Sequence, residues 1–141
     1  MTVSIILENK GHDTVTAKPD MTVAEVITLL SDRRIGAVPV VEGLKVVGIM
    51  SERDVIYCLN KHGGEALSLT VADAMTAPPI TVEPTQSILG ALGLMTRRRV
   101  RHLPVVERDK LVGFVSIGDL VKHRIDRIEA DAQAMRDYIA Q

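Results

Sequence analysis

Residues 37–54 read AVPVVEGLKVVGIMSERD and residues 102–119 read HLPVVERDKLVGFVSIGD. Pro39 and Pro104, Gly48 and Gly113, Ser51 and Ser116, and Asp54 and Asp119 are each separated by one shift, 104 − 39 = 65. The shift holds without a gap from Val15/Ile80 to Leu59/Arg124, which marks a duplicated unit rather than one continuous fold. With 141 residues the chain has enough material for one compact domain and too little for two large ones, so the repeats are expected to share a core.

Working outward from the quoted stretches, each begins with a short apolar run, turns over about four polar residues and continues in a second apolar run, the pattern of a hairpin. Upstream, Thr22-Val-Ala-Glu25 matches a helix N-capping box, with Val23, Val26, Ile27 and Leu30 on one face of the helix that follows. Ser87 opens the equivalent helix with Ile88, Ala91, Leu92 and Met95, and its Gly90 and Gly93 point to a close packing contact. Val15-Thr16-Ala17 and Ile80-Thr81-Val82 have β-branched strand character and stop before Pro19 and Pro84. Further upstream, Val3-Ser4-Ile5-Ile6-Leu7 parallels Val71-Ala72-Asp73-Ala74-Met75 at a shift of 71 − 3 = 68, so the first lead-in carries three extra residues. A short helical turn is expected in each. Downstream, Ser51 and Ser116 open a second helix, so each unit reads β-α-β-β-α.

Residues 60–68 contain Lys61-His62-Gly63-Gly64 and read as a flexible connector. After Asp119 the helical pattern continues: Val121, Ile125, Ile128, Ala132, Met135 and Ile139 form an a/d stripe to the last residues. One small domain does not cover so long a stripe, which predicts packing against another subunit. The expected divisions are 1–69 for the first repeat with its lead-in, 70–124 for the second and 125–141 for a helical extension.

Composition excludes several functions. There are 17 basic and 18 acidic residues, a formal net charge of −1, and aromatics are only 2%. Neither a field that attracts nucleic acid or an anionic membrane nor a stacking platform for single strands is present. The single Cys58 allows no internal disulfide and no multi-cysteine metal site, and reads as a small buried apolar side chain. No apolar run reaches membrane-spanning length and the N-terminus lacks a signal-peptide layout, so a cytoplasmic protein is expected.

Two copies of strand–helix–strand–strand–helix, each with a hydrophobic-Pro-Val-Val strand and Gly-x-x-Ser-x-x-Asp leading into the last helix, resemble a tandem pair of CBS domains, or Bateman module, over about residues 3–124. The resemblance implies an α/β (α+β) fold with the repeats related by a pseudo-two-fold axis, here with a long C-terminal helix. It implies clefts between the repeats that bind adenosine-containing ligands: AMP, ADP, ATP or NAD, and less so S-adenosylmethionine. It also implies a regulatory role towards another protein. With no length left for an attached catalytic domain, a stand-alone pair is expected.

The residues suit that role on their own chemistry. Ser51-Glu-Arg-Asp54 and Ser116-Ile-Gly-Asp119 are capping boxes that satisfy free amides. The same helix starts offer N–H groups and a positive dipole end to an anion, and a carboxylate one turn inside can accept both hydroxyls of a ribose. The resemblance assigns Asp54 and Asp119 to ribose and Ser51 and Ser116 to the neighbourhood of phosphate. It gives the Asp119 cleft Phe114 and Ser116 from the second unit, with Gly11, His12, Asp13, Ile35, Gly36 and Ala37 from the first. The Asp54 cleft receives Ile49, Ser51 and Arg53, with Thr76, Ala77, Pro78, Pro79, Val100, Arg101 and His102. Gly36 and Ala37 are replaced by Arg101 and His102 at the 65-residue shift. The Asp119 cleft is therefore the better fit for bare adenine, and the more charged Asp54 cleft, with Arg53, Arg101 and His102, is the first place for a ligand with two phosphates and a second nucleoside. Arg97, Arg98 and Arg99 read as a solvated helix end, and His62 and His123 as surface residues.

No Cys–His or Ser–His–Asp grouping, P-loop, Gly-x-Gly-x-x-Gly or metal cluster is found, so the chain reads as non-enzymatic, with no catalytic cofactor. The alternative to a nucleotide sensor is a ligand-free oligomerisation scaffold. A homodimer is expected in either case, through Val55, Ile56, Leu59, Leu120, Val121 and the C-terminal helix, with an unidentified regulated protein as the further partner.

Overall fold

The computed structural model describes residues 1–141. The elements in order are α1 (Val3–Lys10), α2 (Val23–Arg33), β1 (Ala37–Glu42), β2 (Lys45–Ser51), α3 (Glu52–His62), a 3₁₀ segment (Gly63–Ser68), α4 (Val71–Ala74), α5 (Ile88–Arg98), β3 (His102–Glu107), β4 (Lys110–Ser116) and α6 (Ile117–Ala140). This is the mixed α/β architecture that the duplicated sequence predicts, with a long C-terminal helix.

Local chemistry accounts for the helix starts. Thr22, Ser51, Thr70 and Ser116 each close a capping box, and Ser87 accepts from the Gly90 amide. Gly90 leaves room for that cap, because a Cβ there meets Ser87 Oγ at 2.7 Å as well as the Gln86 amide group. The close contact expected at Gly90 is thus with its own helix start. The lead-ins differ as their lengths require: α1 has 8 residues and α4 has 4.

β1–β2 and β3–β4 are antiparallel hairpins with the same bulge, between Val40 and Val41 and between Val105 and Val106. The bulges leave Val47 and Val112 without a partner in the ladder. Each hairpin turns over two residues, fewer than the four expected. Positive φ at Gly43 makes the first turn and positive φ at both Arg108 and Asp109 makes the second, matching the twist of the strands. The strands expected around Ala17 and Val82 shrink to single parallel bridges, Ala17 to Val40 and Val82 to Val105. Proline two residues beyond each bridge prevents further pairing.

The expected shared core is instead two clusters, and each takes its lead-in from the other unit. Val3, Ile6 and Leu7 of α1 pack with Val82, Ile88, Ala91, Met95, Leu103, Val105, Val115 and Leu120. Val71 of α4 packs with Val23, Val26, Leu30, Val38, Val40 and Met50. Backbone bridges anchor the exchange, Thr2 to Ser87 and Thr22 to Thr70. The duplicated glycines make it possible. A Cβ on Gly113 stands 2.5 Å from Leu7 Cδ2, and one on Gly48 stands 2.5 Å from Met75 Sδ. The connector is also ordered: α3 runs on to His62, and the 3₁₀ segment buries Ala66 in the same cluster as Val71.

Beyond Leu120, α6 leaves the body with no other buried side chain. Its 24 residues span about 36 Å at 1.5 Å per residue. No helix is long and apolar enough to cross a membrane.

Candidate functional site

The two Ser-x-x-Asp boxes start α3 and α6, yet their carboxylates end in different surroundings. Asp54 is 8% exposed. Its Oδ2 accepts from the Ser51 amide and hydroxyl, both at 2.9 Å, and its Oδ1 accepts from the Thr76 hydroxyl at 2.7 Å. Thr76 is held there by two backbone bonds with Ile49, 2.9 and 3.0 Å. Every oxygen of the first carboxylate is therefore committed, and it ties the second lead-in to the first repeat.

The second carboxylate is partly open. Asp119 Oδ2 accepts from the Ser116 amide at 2.9 Å and from Lys10 Nζ at 2.7 Å, while Oδ1 takes no bond from the protein. Lys10 also donates to the Phe114 carbonyl, 2.9 Å. Phe114 corresponds to Ile49, so the ammonium of Lys10 stands where the backbone of Thr76 stands in the other half. The three extra residues of the first lead-in lengthen α1 and carry Lys10 to this position. His12 Nδ1 donates to the carbonyl of Val112, 2.8 Å, which the bulge leaves free of the ladder. That bond fixes the His12 proton on Nδ1.

Beside Asp119 opens a cleft of about 370 Å³ lined by Lys10, Asp13, Thr14, Val15, Arg34, Ile35, Gly36, Ala37, His102, Phe114 and Ser116. Its volume falls within the range of small-molecule sites. Its walls combine the backbone of residues 35–37, the N-terminus of α6 and the charges of Lys10 and Arg34. His102 stacks on Phe114 with ring centroids 5.5 Å apart and 12° between planes. Burial, then the charge of Lys10, holds the His102 imidazole below its ordinary pKa, against the opposing pull of Asp119 and Glu52. Burial pushes the Asp119 carboxyl up, but the hydrogen bonds from Lys10 and Ser116 together with the Lys10 charge outweigh it and hold the carboxyl low. The site therefore presents an ionised carboxylate and a neutral imidazole at pH 7.

Of the residues expected around Asp119, Asp13, Ile35, Gly36, Ala37, Phe114 and Ser116 do line the cleft. Gly11 ends α1 and His12 is bonded to the bulge, both outside the lining, and Asp119 itself adjoins the cleft through its bonds to the lining residues Lys10 and Ser116. Lys10, Thr14, Val15 and Arg34 are lining residues that the sequence reading missed. Arg34 carried a signal, since it sits next to Ile35 and corresponds to Arg99 at the 65-residue shift.

The residues expected around Asp54 disperse. His102 turns to the Asp119 side, where its ring finds Phe114. Arg53 donates to the Arg99 carbonyl at 2.9 Å, satisfying the end of α5 rather than facing Asp54. Arg53, Val100 and Arg101 line a smaller hollow of about 260 Å³ with Met95, Thr96, Arg99 and Ile117. Ile49, Ser51 and Thr76 remain beside Asp54 as its structural partners; Ala77, Pro78 and Pro79 continue the chain from Thr76 and line neither hollow. No three His, Cys, Asp or Glu side chains come together as a metal site.

Comparison with known proteins gives this geometry a lineage. The family model described as the CBS domain matches residues 11–61 and 71–126. The chain belongs to the CBS-domain family. Among curated CBS proteins, the mitochondrial CBS domain-containing protein CBSX3 of Arabidopsis thaliana is 32% identical over an alignment of 147 positions, which covers 98% of this chain and 71% of the relative. The crystal structure of the CBS-domain containing protein ATU1752 from Agrobacterium tumefaciens superimposes with a TM-score of 0.84 at 36% identity, covering 88% of this chain and 99% of that one. That of CBSX2 in complex with AMP superimposes with a TM-score of 0.75 at 26% identity, covering 89% and 96%.

Proposed function

We propose that the protein is a non-catalytic regulatory module whose Asp119 cleft holds an adenine nucleotide. The observation that carries this reading is the half-free carboxylate at the start of α6, beside a cleft of about 370 Å³ walled by backbone and by Lys10 and Arg34. Oδ1 of Asp119 is available to a ribose hydroxyl. The backbone of Ile35-Gly36-Ala37 presents groups to an adenine edge, and Val15 supplies an apolar wall. A ribose that takes both carboxylate oxygens displaces Lys10, whose ammonium then serves the phosphate. Binding thus exchanges a bond between α1 and α6 for a bond through the ligand, a local change at the root of the long helix. A CBS pair of the same fold has been solved with AMP, which supports the class of ligand.

The cleft offers no group with the geometry of a nucleophile and its base. Asp119 is held low, His102 is neutral and stacked, and Cys58 is buried in the cluster that holds Val71. These arrangements suit binding rather than bond breaking. For Asp54 a different role is favoured by its saturated hydrogen bonds: a cap and a link between the repeats, the part that a scaffold needs. Self-association belongs to the same reading, through the exposed Ile56, Tyr57 and Leu59 of α3 and the stripe of α6; Leu120 and Val55, expected at the same surface, instead pack into the protein's own two clusters.

Mass spectrometry of small molecules released on denaturing the purified protein, followed by titration of the stripped protein with AMP, ADP, ATP, NAD and S-adenosylmethionine, tests the proposal. An adenine compound that is released and rebinds supports it. Binding by none of the five would leave the Ser-x-x-Asp boxes as helix caps and the scaffold as the function.

A further inference from the structure

The apolar stripe of α6 has no cover within the chain. Leu120 is fully buried, but Val121, one residue and about 100° further round the helix, is 40% exposed. Exposure then rises along the stripe, through Ile125 at 49% and Ile128 at 53% to Ile139 at 76%. The stripe turns away from its own body and faces outward over residues 121–139. An apolar row of this regularity is a coiled-coil seam, and the charges beside it specify what it meets.

With Ile125, Ala132 and Ile139 at a and Val121, Ile128 and Met135 at d, the flanking g positions are Arg124, Asp131 and Tyr138, and the e positions are Lys122, Glu129 and Arg136. Side by side and in register, two copies place each g residue against the e residue five positions on in the other copy. Arg124 then meets Glu129 and Asp131 meets Arg136, and the two-fold axis repeats both. All of these pairs are opposite in charge. An antiparallel pairing that overlaps the whole stripe, with Val121 across from Ile139, sets Lys122 against Arg136, Glu129 against Glu129 and Asp131 against Asp131. All of those are alike. Sliding the antiparallel helices by one heptad either way restores opposite charges only by uncovering two apolar positions per chain at one end. The ion pairs within α6, Lys122–Asp126 and Arg127–Asp131, are long and exposed, so they leave these groups free to meet a partner.

We infer that α6 joins two copies of this chain in a parallel, in-register coiled coil over residues 121–139. The arrangement sets the two bodies side by side at one end of the coil. Since α6 begins at the Ser116–Asp119 box, the two clefts lie at the same end, and the coil is the direct continuation of the helix that starts each of them. The inference rests on self-association but not on nucleotide binding.

Disulfide trapping in the full chain tests it, because only a parallel register brings identical d positions together. Met135→Cys forms a covalent dimer under mild oxidation, whereas the native chain, with Cys58 buried, does not, and Val121→Cys mixed with Ile139→Cys does not cross-link between the two variants. Sedimentation equilibrium supplies the second arm. Arg124→Glu turns two attractive pairs into repulsive ones and weakens the dimer about fivefold or more. Glu129→Arg does the same, and the two together restore it. Circular dichroism confirms that each variant is folded. A native chain that is monomeric at all concentrations overturns both self-association and the coil. A dimer in which Met135→Cys fails to cross-link, or in which the charge exchange restores nothing, overturns the coil alone and leaves association to α3.

Discussion

Replacing Thr76 with Val tests whether Asp54 is a structural link. The substitution keeps the shape and β-branching of the side chain and the two backbone bonds to Ile49, and removes one hydroxyl, the donor to Asp54 Oδ1 at 2.7 Å. A hydrogen bond to a charged group contributes about 1.5–3 kcal/mol, and the lower end applies because Thr76 itself is exposed. Asp54 is 8% exposed, so water replaces the hydroxyl only in part. For a domain of this size, a loss of about 1.5 kcal/mol lowers the melting temperature by about 3–6 °C. Lys10→Met is the matched perturbation in the other half. The side chains of Lys10 and Asp119 are 42% and 27% exposed, so their ion pair contributes at most about 1 kcal/mol and typically half of that. Differential scanning calorimetry and urea unfolding at pH 7 rank the two variants. Equal losses, or a larger loss for Lys10→Met, would refute the division of the carboxylates into one committed and one available.

Other consequences follow from the same contacts. Gly113→Ala drives a Cβ to within 2.5 and 2.8 Å of both Leu7 methyls, and Leu7 is 1% exposed with nowhere to move; urea unfolding is expected to show a loss of about 1–3 kcal/mol, with Leu7→Ala/Gly113→Ala losing less than the sum of its parts. His102 has a folded pKa below its ordinary 6.5, so the unfolded chain binds the proton first, and stability is undiminished above that value and falls as pH drops below it. His102→Gln removes that part of the decline, visible as a flatter plot of melting temperature between about pH 7 and 5. Asp119, held low, contributes stability above its unfolded pKa that is lost as pH falls through the folded one, and Lys10→Met shallows that acid limb. Lys10→Ala also separates ligands: calorimetric titration is expected to show weaker AMP binding and undiminished adenosine binding, because only the phosphate uses the ammonium.

What the sequence shows in advance is what depends on neighbours along the chain. Thr22/Glu25, Ser51/Asp54 and Ser116/Asp119 are capping boxes within one helical turn, and the hairpins are adjacent strands, so spacing alone locates them. The exchange of lead-ins is not legible in this way. Leu7 packs over Gly113 and Met75 over Gly48 across long stretches of chain, and the 68-residue shift records similarity between the lead-ins without saying which core each enters. The same limit applies at the cleft. Asp119 and Ser116 stand out in the repeat and the 35–37 backbone follows from the resemblance to CBS pairs, whereas Lys10 reaches Asp119 only because the first lead-in forms a longer helix. His102 occupies the position of Ala37, and only the nearby Phe114 ring, where the first repeat has Ile49, explains why it turns to the other cleft.

The most direct test of the account is isothermal titration calorimetry of AMP into the stripped native chain, Asp119→Ala and Asp54→Ala, with circular dichroism to show that both variants are folded. Binding through the open carboxylate predicts affinity in the native chain and a loss of about tenfold or more in Asp119→Ala, from the missing charged hydrogen bonds. Asp54→Ala is predicted to be less stable yet to bind AMP like the native chain. An Asp119→Ala variant that binds AMP as tightly as the native chain would contradict the account.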